Sequence, residues 1–175
     1  MLYGQSKQYL LEKLTEAGLK SRPYTALKAL QKSQESHVGA VLFEREAYAR
    51  NGSKKRFRDE EGAKHKRRKV FDRAVTFVVL IGDYTDDAVE TMLEKFVSLL
   101  DRGITVDGNF VPLEIEGVEW VDTEDALLKA QVAVRVTVTF NGGVYKDTDF
   151  GPLTHVKVVE IEKINGKENT DGNQE

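Results

Sequence analysis

The 175-residue chain contains no cysteine, only three prolines and one tryptophan. Without cysteine there are no disulfides, no thiolate metal ligands and no thiol nucleophile, and a reducing compartment fits. Histidine is equally sparse. His37, His65 and His155 stand far apart, so no pair has the His-x-x-x-His spacing of a helical metal site. Phosphate-cradling P-loops, the G-x-G-x-x-G fingerprint and the G-x-S-x-G elbow are missing too. No apolar run approaches the ~20 residues of a membrane helix. The opening Met1–Lys7 lacks the basic-then-apolar layout of a secretory leader. These absences lead us to expect a soluble, intracellular protein that is not an enzyme, needs no cofactor or metal, and does not engage a membrane.

What is present is an uneven charge distribution. The formal net charge is -3. Between Lys54 and Lys69 nine Lys/Arg face three acids, a local +6, so the remainder carries -9. The cations are Lys54, Lys55, Arg56, Arg58, Lys64, Lys66, Arg67, Arg68 and Lys69. Three readings of this tract stay open. It is a solvated loop, or an arm that binds phosphates and releases their counterions, or a loop that docks on an acidic protein surface, including that of another copy. Only Phe57 interleaves with the charges, which is poor material for stacking bases.

The remaining pattern predicts an α+β domain. Apolar spacing places a helix at residues 3–17, with Tyr3, Leu10, Leu11 and Leu14 on its buried face and Gly18 just past its end. Residues 21–36 read either as a short helix or as an irregular strand. Residues 37–49 read as a strand whose first half is buried on both faces. Asn51-Gly52 then opens a long charged loop through residue 66. Residues 70–81 are the most β-prone stretch of the chain and predict a central strand covered on both sides. Thr85 is a candidate N-cap for a helix to about residue 100, with Gly103 ending that segment. Asp107-Gly108-Asn109 is a tight-turn signal between two short strands. Residues 118–121 form a separate extended piece with Trp120 as an anchor. Residues 127–140 predict a long strand with one buried face, broken by Asn141-Gly142-Gly143. The carboxylate groups Asp83/Asp86/Asp87 and Asp122/Glu124/Asp125 read as helix-terminus partners and as a solvated loop. The expected fold is a mostly antiparallel sheet against two main helices, with a long charged hairpin. Residues 1–148 make one domain, 149–164 an extension or added strand, and 165–175 a disordered tail.

The order of these segments resembles a known family. His37-Val38-Gly39-Ala40-Val41-Leu42 follows an N-terminal helix. The charged hairpin leads to Arg67-Arg68-Lys69-Val70-Phe71-Asp72-Arg73 and then to Ile81-Gly82-Asp83-Tyr84-Thr85. Asp107-Gly108-Asn109-Phe110-Val111 and the run from Val136 to Tyr145 complete the likeness, which covers residues 1–148. Together they resemble the tail terminator, or tail completion, proteins of long-tailed bacteriophages and prophages. That resemblance implies a non-enzymatic virion protein, found in the tail and, during assembly, in the host cytoplasm. It implies a homo-hexameric ring that caps the tail tube protein, ends polymerisation and presents a surface to the head–tail connector protein. The nine cations of residues 54–69 would then face neighbouring subunits or passing DNA. A nucleic-acid-binding module and another head–tail connector component are the alternatives.

Overall fold

The longest apolar stretch becomes the axis of the molecule. In a computed structural model that describes residues 1–33, 35–58, 61–121 and 132–149, β3 runs without interruption from Lys64 to Asp83. At ~3.3 Å per residue it is roughly 65 Å long. Only its second half is core: Val75, Phe77, Val79 and Ile81 are fully buried on one face, and Thr76, Val78 and Leu80 are buried on the other. The expected central strand, covered on both sides, is therefore present.

The fold is α+β, a six-stranded antiparallel sheet with two main helices packed against it. β1 (Val38–Arg50), β3, β6 (Val132–Asp149), β5 (Asn109–Val121) and β4 (Gly103–Val106) lie side by side in that order, and β2 (Lys54–Arg58) pairs with the outer part of β3. α1 (Leu2–Glu16) and α3 (Asp86–Leu99) cover one face. Leu10 and Leu14 of α1 and Val89, Met92 and Phe96 of α3 close over Val75–Ile81 and Val134–Phe140. A smaller cluster on the other face gathers Leu30 of the short helix α2 (Leu27–Lys32) with Val38, Ala40, Val78 and Leu80. Thr85 caps α3 as expected, its hydroxyl accepting the Ala88 N–H. The two-residue turn Asp107-Gly108 has positive φ at both positions, 49° and 72°, the type I′ geometry that suits a hairpin.

Beyond the small cluster the second face is polar, and a hydrogen-bond chain holds it together. Thr139 donates to Glu116 at 2.6 Å. Its single proton is thus used, so Thr76 is the donor in the 2.7 Å contact between the two buried hydroxyls. Arg45 meets the same Glu116 at 3.0 Å. The chain spans β1, β3, β6 and β5. Glu116 and Glu44 are the unpaired residues of two β-bulges, in β5 and β1. Each bulge re-aims its acid toward a cation on another strand, Glu44 reaching Arg135.

Several expectations need correction. The charged segment 53–66 is strand for most of its length, in β2 and the start of β3, because backbone pairing does not require an apolar side chain when one edge is already templated. Asn141-Gly142-Gly143 does not break β6, since all three pair with β3. Gly142 lies close under Leu2 instead: a Cβ there would sit 2.7 Å from Leu2 Cδ2, so that side chain would have to shift. Residues 118–121 continue β5 past its bulge, and Trp120 is half exposed rather than an anchor. Tyr3 is 38% exposed; the buried stripe of α1 is Leu2, Ser6, Leu10 and Leu14. α3 stops at Leu99, and Gly103 starts β4 rather than ending the helix. The acidic loop 122–125, residues 127–131 of the predicted long strand, the extension beyond residue 149 and the polar tail lie outside the described residues.

Two substitutions should move stability in opposite directions. A Cβ at Gly103 would collide with the Val111 carbonyl oxygen, so Gly103→Ala should cost at least ~1 kcal/mol. Ser6 is fully buried in α1 and its hydroxyl finds no partner among the described residues. Ser6→Ala should therefore stabilise by up to about 1 kcal/mol. Urea midpoints would decide, and equal midpoints for the two variants would refute this packing.

Candidate functional site

The nine cations are ordered by the period of a strand. In an antiparallel ladder, directly opposed residues share a face and alternate residues share it too. Lys54 stands opposite Arg68, which stands opposite Lys146. Two steps on come Arg56, Lys66 and Thr148, then Arg58 and Lys64. These three rows make one face of a three-stranded ribbon, and among the described residues Thr148 is its only uncharged member. Between them lie the rows Lys55–Arg67–Asp147 and Phe57–His65–Asp149, on the opposite face.

The two faces have different jobs. Arg67 holds the second one together. Its Nε and a terminal nitrogen reach both carboxylate oxygens of Asp147 at 2.8 and 2.7 Å, and the other terminal nitrogen donates to Asn109 Oδ1 at 3.2 Å. The guanidinium also lies 5.0 Å from the Phe57 ring centroid and 5.8 Å from that of Tyr145. Phe57 stacks on His65 with ring centroids 5.3 Å apart. A bidentate ion pair between two aromatic rings is the kind of site that favours arginine over lysine. The hydrogen bonds of Asp147 raise the proton affinity of Arg67, and the same contact holds the Asp147 carboxyl below the usual range. Arg67 is thus a structural clamp.

The base of the ribbon is fixed separately. Asn51 does not form the two-residue hairpin that Asn-Gly often signals. Its Oδ1 accepts the Ser53 N–H at 2.8 Å, its Nδ2 donates to Asp72 at 2.8 Å, and its backbone N–H bonds the Val70 carbonyl. This Asx turn lets β1 and β2 pair in succession with one strand. Lys69 is bound to Asp72 at 2.6 Å. Lys69 and Asn51 together hold the Asp72 carboxyl below its ordinary value. Arg73 pairs with Glu46, whose carboxyl is lowered first by the Tyr48 hydroxyl and then by Arg73.

Of the nine predicted cations, then, six share the open face: Lys54, Arg56, Arg58, Lys64, Lys66 and Arg68. Arg67 and Lys69 are committed to acids, and Lys55 sits in the row of Arg67. Lys146 belongs to the cationic face and was missed, as were Tyr145 and Asp147 behind it. Continuing the two-residue alternation of β6 through its glycines would have found them. A cleft of about 350 Å³ opens between Arg67, Lys69, Asn109, Phe110 and Tyr145, but its two cations on β3 are already engaged. Among the described residues no group of three His, Asp or Glu could hold a metal ion. No helix among them is long and apolar enough to cross a membrane.

His37 and Asp83 form a close pair, Nδ1 to Oδ2 at 2.8 Å. The other ring nitrogen, Nε2, accepts the Lys20 backbone N–H at 3.2 Å. Nδ1 joins the start of β1 to the end of β3 and Nε2 ties it to the segment after α1, so the pair is structural. Asp83 is therefore an inter-strand tie rather than a helix-terminus partner. Burial would raise its carboxyl, but the bonds from His37 and the Tyr84 N–H outweigh that and lower it.

Compared with protein families and with curated proteins, the chain matches no family model and no curated sequence.

The clamp makes the ribbon acid-sensitive. Asp72 and Asp147 have carboxyls lowered in the folded state. Such groups stabilise fully above their unfolded value, about 4, and lose that contribution as pH falls through the folded value. Amide-exchange protection factors in β2 should therefore drop as pH falls below the ordinary carboxylate value of about 4, while those of residues 75–81 change less. Arg67→Lys should reproduce the loss at neutral pH. Unchanged β2 protection in both experiments would dismiss the clamp.

Proposed function

We propose that this chain is a structural assembly subunit of the tail-terminator type. Six copies form a ring on the last ring of a phage tail tube, stop its growth and offer a surface to the head–tail connector. The observation that carries this reading is the ribbon. β2 with the outer parts of β3 and β6 leaves the helix-covered core, has no apolar side chains to bury except Phe57 and Tyr145, and is braced by its own clamp. A rigid projecting arm of this kind suits contact with a neighbour.

The sheet edges support the same reading. Among the described residues, the outer edge of β1 carries only the bridge from Tyr24 to Ala40, and β5 beyond Pro112 carries no strand on its outer side. Phe43, Ile115, Val118 and Trp120 are exposed near these edges. Unpaired edges with apolar side chains are sites where another chain adds on. Termination is geometric in this reading. One ring face matches the tube end and the other no longer presents the tube's self-complementary surface, so heterologous growth stops. The protein would act in the virion tail and in the host cytoplasm during assembly. The cationic face favours a second reading, a nucleic-acid-binding module.

Light scattering across protein concentration, followed by negative-stain microscopy with tail tube protein, tests the proposal. The expected outcome is hexameric rings that cap tubes and shorten them. A monomer at every concentration that leaves tube length unchanged would exclude it.

A further inference from the structure

The cationic face of the ribbon has a complement on the same molecule that it cannot reach. Asp86, Asp87, Glu90 and Glu94 are exposed on α3 at helical spacing, so they form one stripe along its outer side. No ion pair or side-chain hydrogen bond among the described residues engages any of them. Asp86 and Asp87 suit the positive end of the helix, but Glu90 and Glu94 lie beyond its first turn, where that benefit has faded. Like charges four apart on a helix repel, and so do cations directly opposed across strands. The acidic stripe and the opposed row Lys54–Arg68–Lys146 therefore carry self-repulsion that contact with the opposite charge would relieve.

The two surfaces also match in length. From Asp86 to Glu94 the helix advances ~12 Å at 1.5 Å per residue. The cationic rows, from the first to the third, span about 13 Å of strand. A single chain cannot bring them together. α3 starts just after Asp83, and Lys66 lies roughly 55 Å of continuous strand away from that end. The partner must come from outside the chain, and a second copy carries it.

We propose that the cationic ribbon face of one copy lies on the acidic stripe of α3 of a second copy, a heterologous contact that repeats from subunit to subunit. It rests on the assembly reading but does not depend on a ring or on a tail. The acidic remainder of the chain, at -9, makes a long polyanion the less favoured occupant, since most of the surface would repel it.

The absence of cysteine allows a direct test. Lys66→Cys and Glu90→Cys variants of the full chain are mixed and treated with a short bis-maleimide. A covalent dimer should form in the mixture, not in either variant alone, and should be lost at high salt. No mixed dimer, or equal dimer in the single-variant controls, overturns the contact. As a second measurement, Lys64→Glu/Lys66→Glu/Arg68→Glu should abolish oligomers by light scattering, and adding Asp86→Lys/Glu90→Lys/Glu94→Lys should restore them. Oligomers that survive the ribbon reversal overturn this contact but leave the ring reading standing. Failure of the wild type to cap tubes, with the mixed cross-link present, removes the tail reading but keeps the contact. Salt-sensitive binding of a short random DNA duplex, lost on ribbon reversal and without a mixed cross-link, assigns the face to nucleic acid and overturns the proposal.

Discussion

The pairing of β3 with β6 is the constraint on which everything else in this molecule depends. It runs from His65 opposite Asp149 to Asp83 opposite Val132. The inner part of that ladder is the centre of the hydrophobic core, and the outer part is the spine of the ribbon. Each strand therefore serves two environments with opposite demands. In the core, burial of Val75–Ile81 and Val134–Phe140 supplies the stabilisation. In the ribbon there is almost nothing apolar to bury, and the ladder is kept by register inherited from the core together with the Arg67–Asp147 clamp. The bulge between Lys69 and Phe71 and the Asx turn at Asn51 mark where one regime passes into the other.

Charge is sorted by the pleat. On one face of the ribbon cations meet an acid and aromatic rings, which offset their mutual repulsion. On the other face Lys54, Arg68 and Lys146 stand opposite one another in register. This separation is what turns a stretch of basic sequence into a surface. The polar face of the core shows the opposite arrangement. There Glu44 and Glu116, displaced by bulges, are each matched to an arginine on another strand, so charge is neutralised where the sheet must stay closed.

Much of the fold was legible because residue type and period agreed. Val75–Ile81 alternated and was apolar on both faces. Thr85 with Asp86 and Asp87 announced a helix start, and Asp107-Gly108 announced a I′ turn. The ribbon was harder to read because strand was expected to require apolar alternation. Lys54–Arg58 and Lys64–Lys69 have alternation, but of one cationic row against the row of the Arg67 clamp, which is visible only once the register is known. Gly142 and Gly143 misled for a related reason. Glycine commonly signals a break, yet here Gly142 makes room for Leu2 and Gly143 for the Lys69 side chain. The basic tract was identified as the place of interest, but its division into a clamp and an open face depends on Asp147, some 80 residues away in the chain.

Because two paired strands, β3 and β6, run on from core into ribbon, the molecule also has a mechanical direction. A pull on the ribbon tip along β3 loads the hydrogen bonds to β1 and β6 in shear, and many must yield together before the strand can slide. A sideways pull on β2 peels its short ladder one pair at a time. The ribbon is therefore stiff along its length and compliant across it.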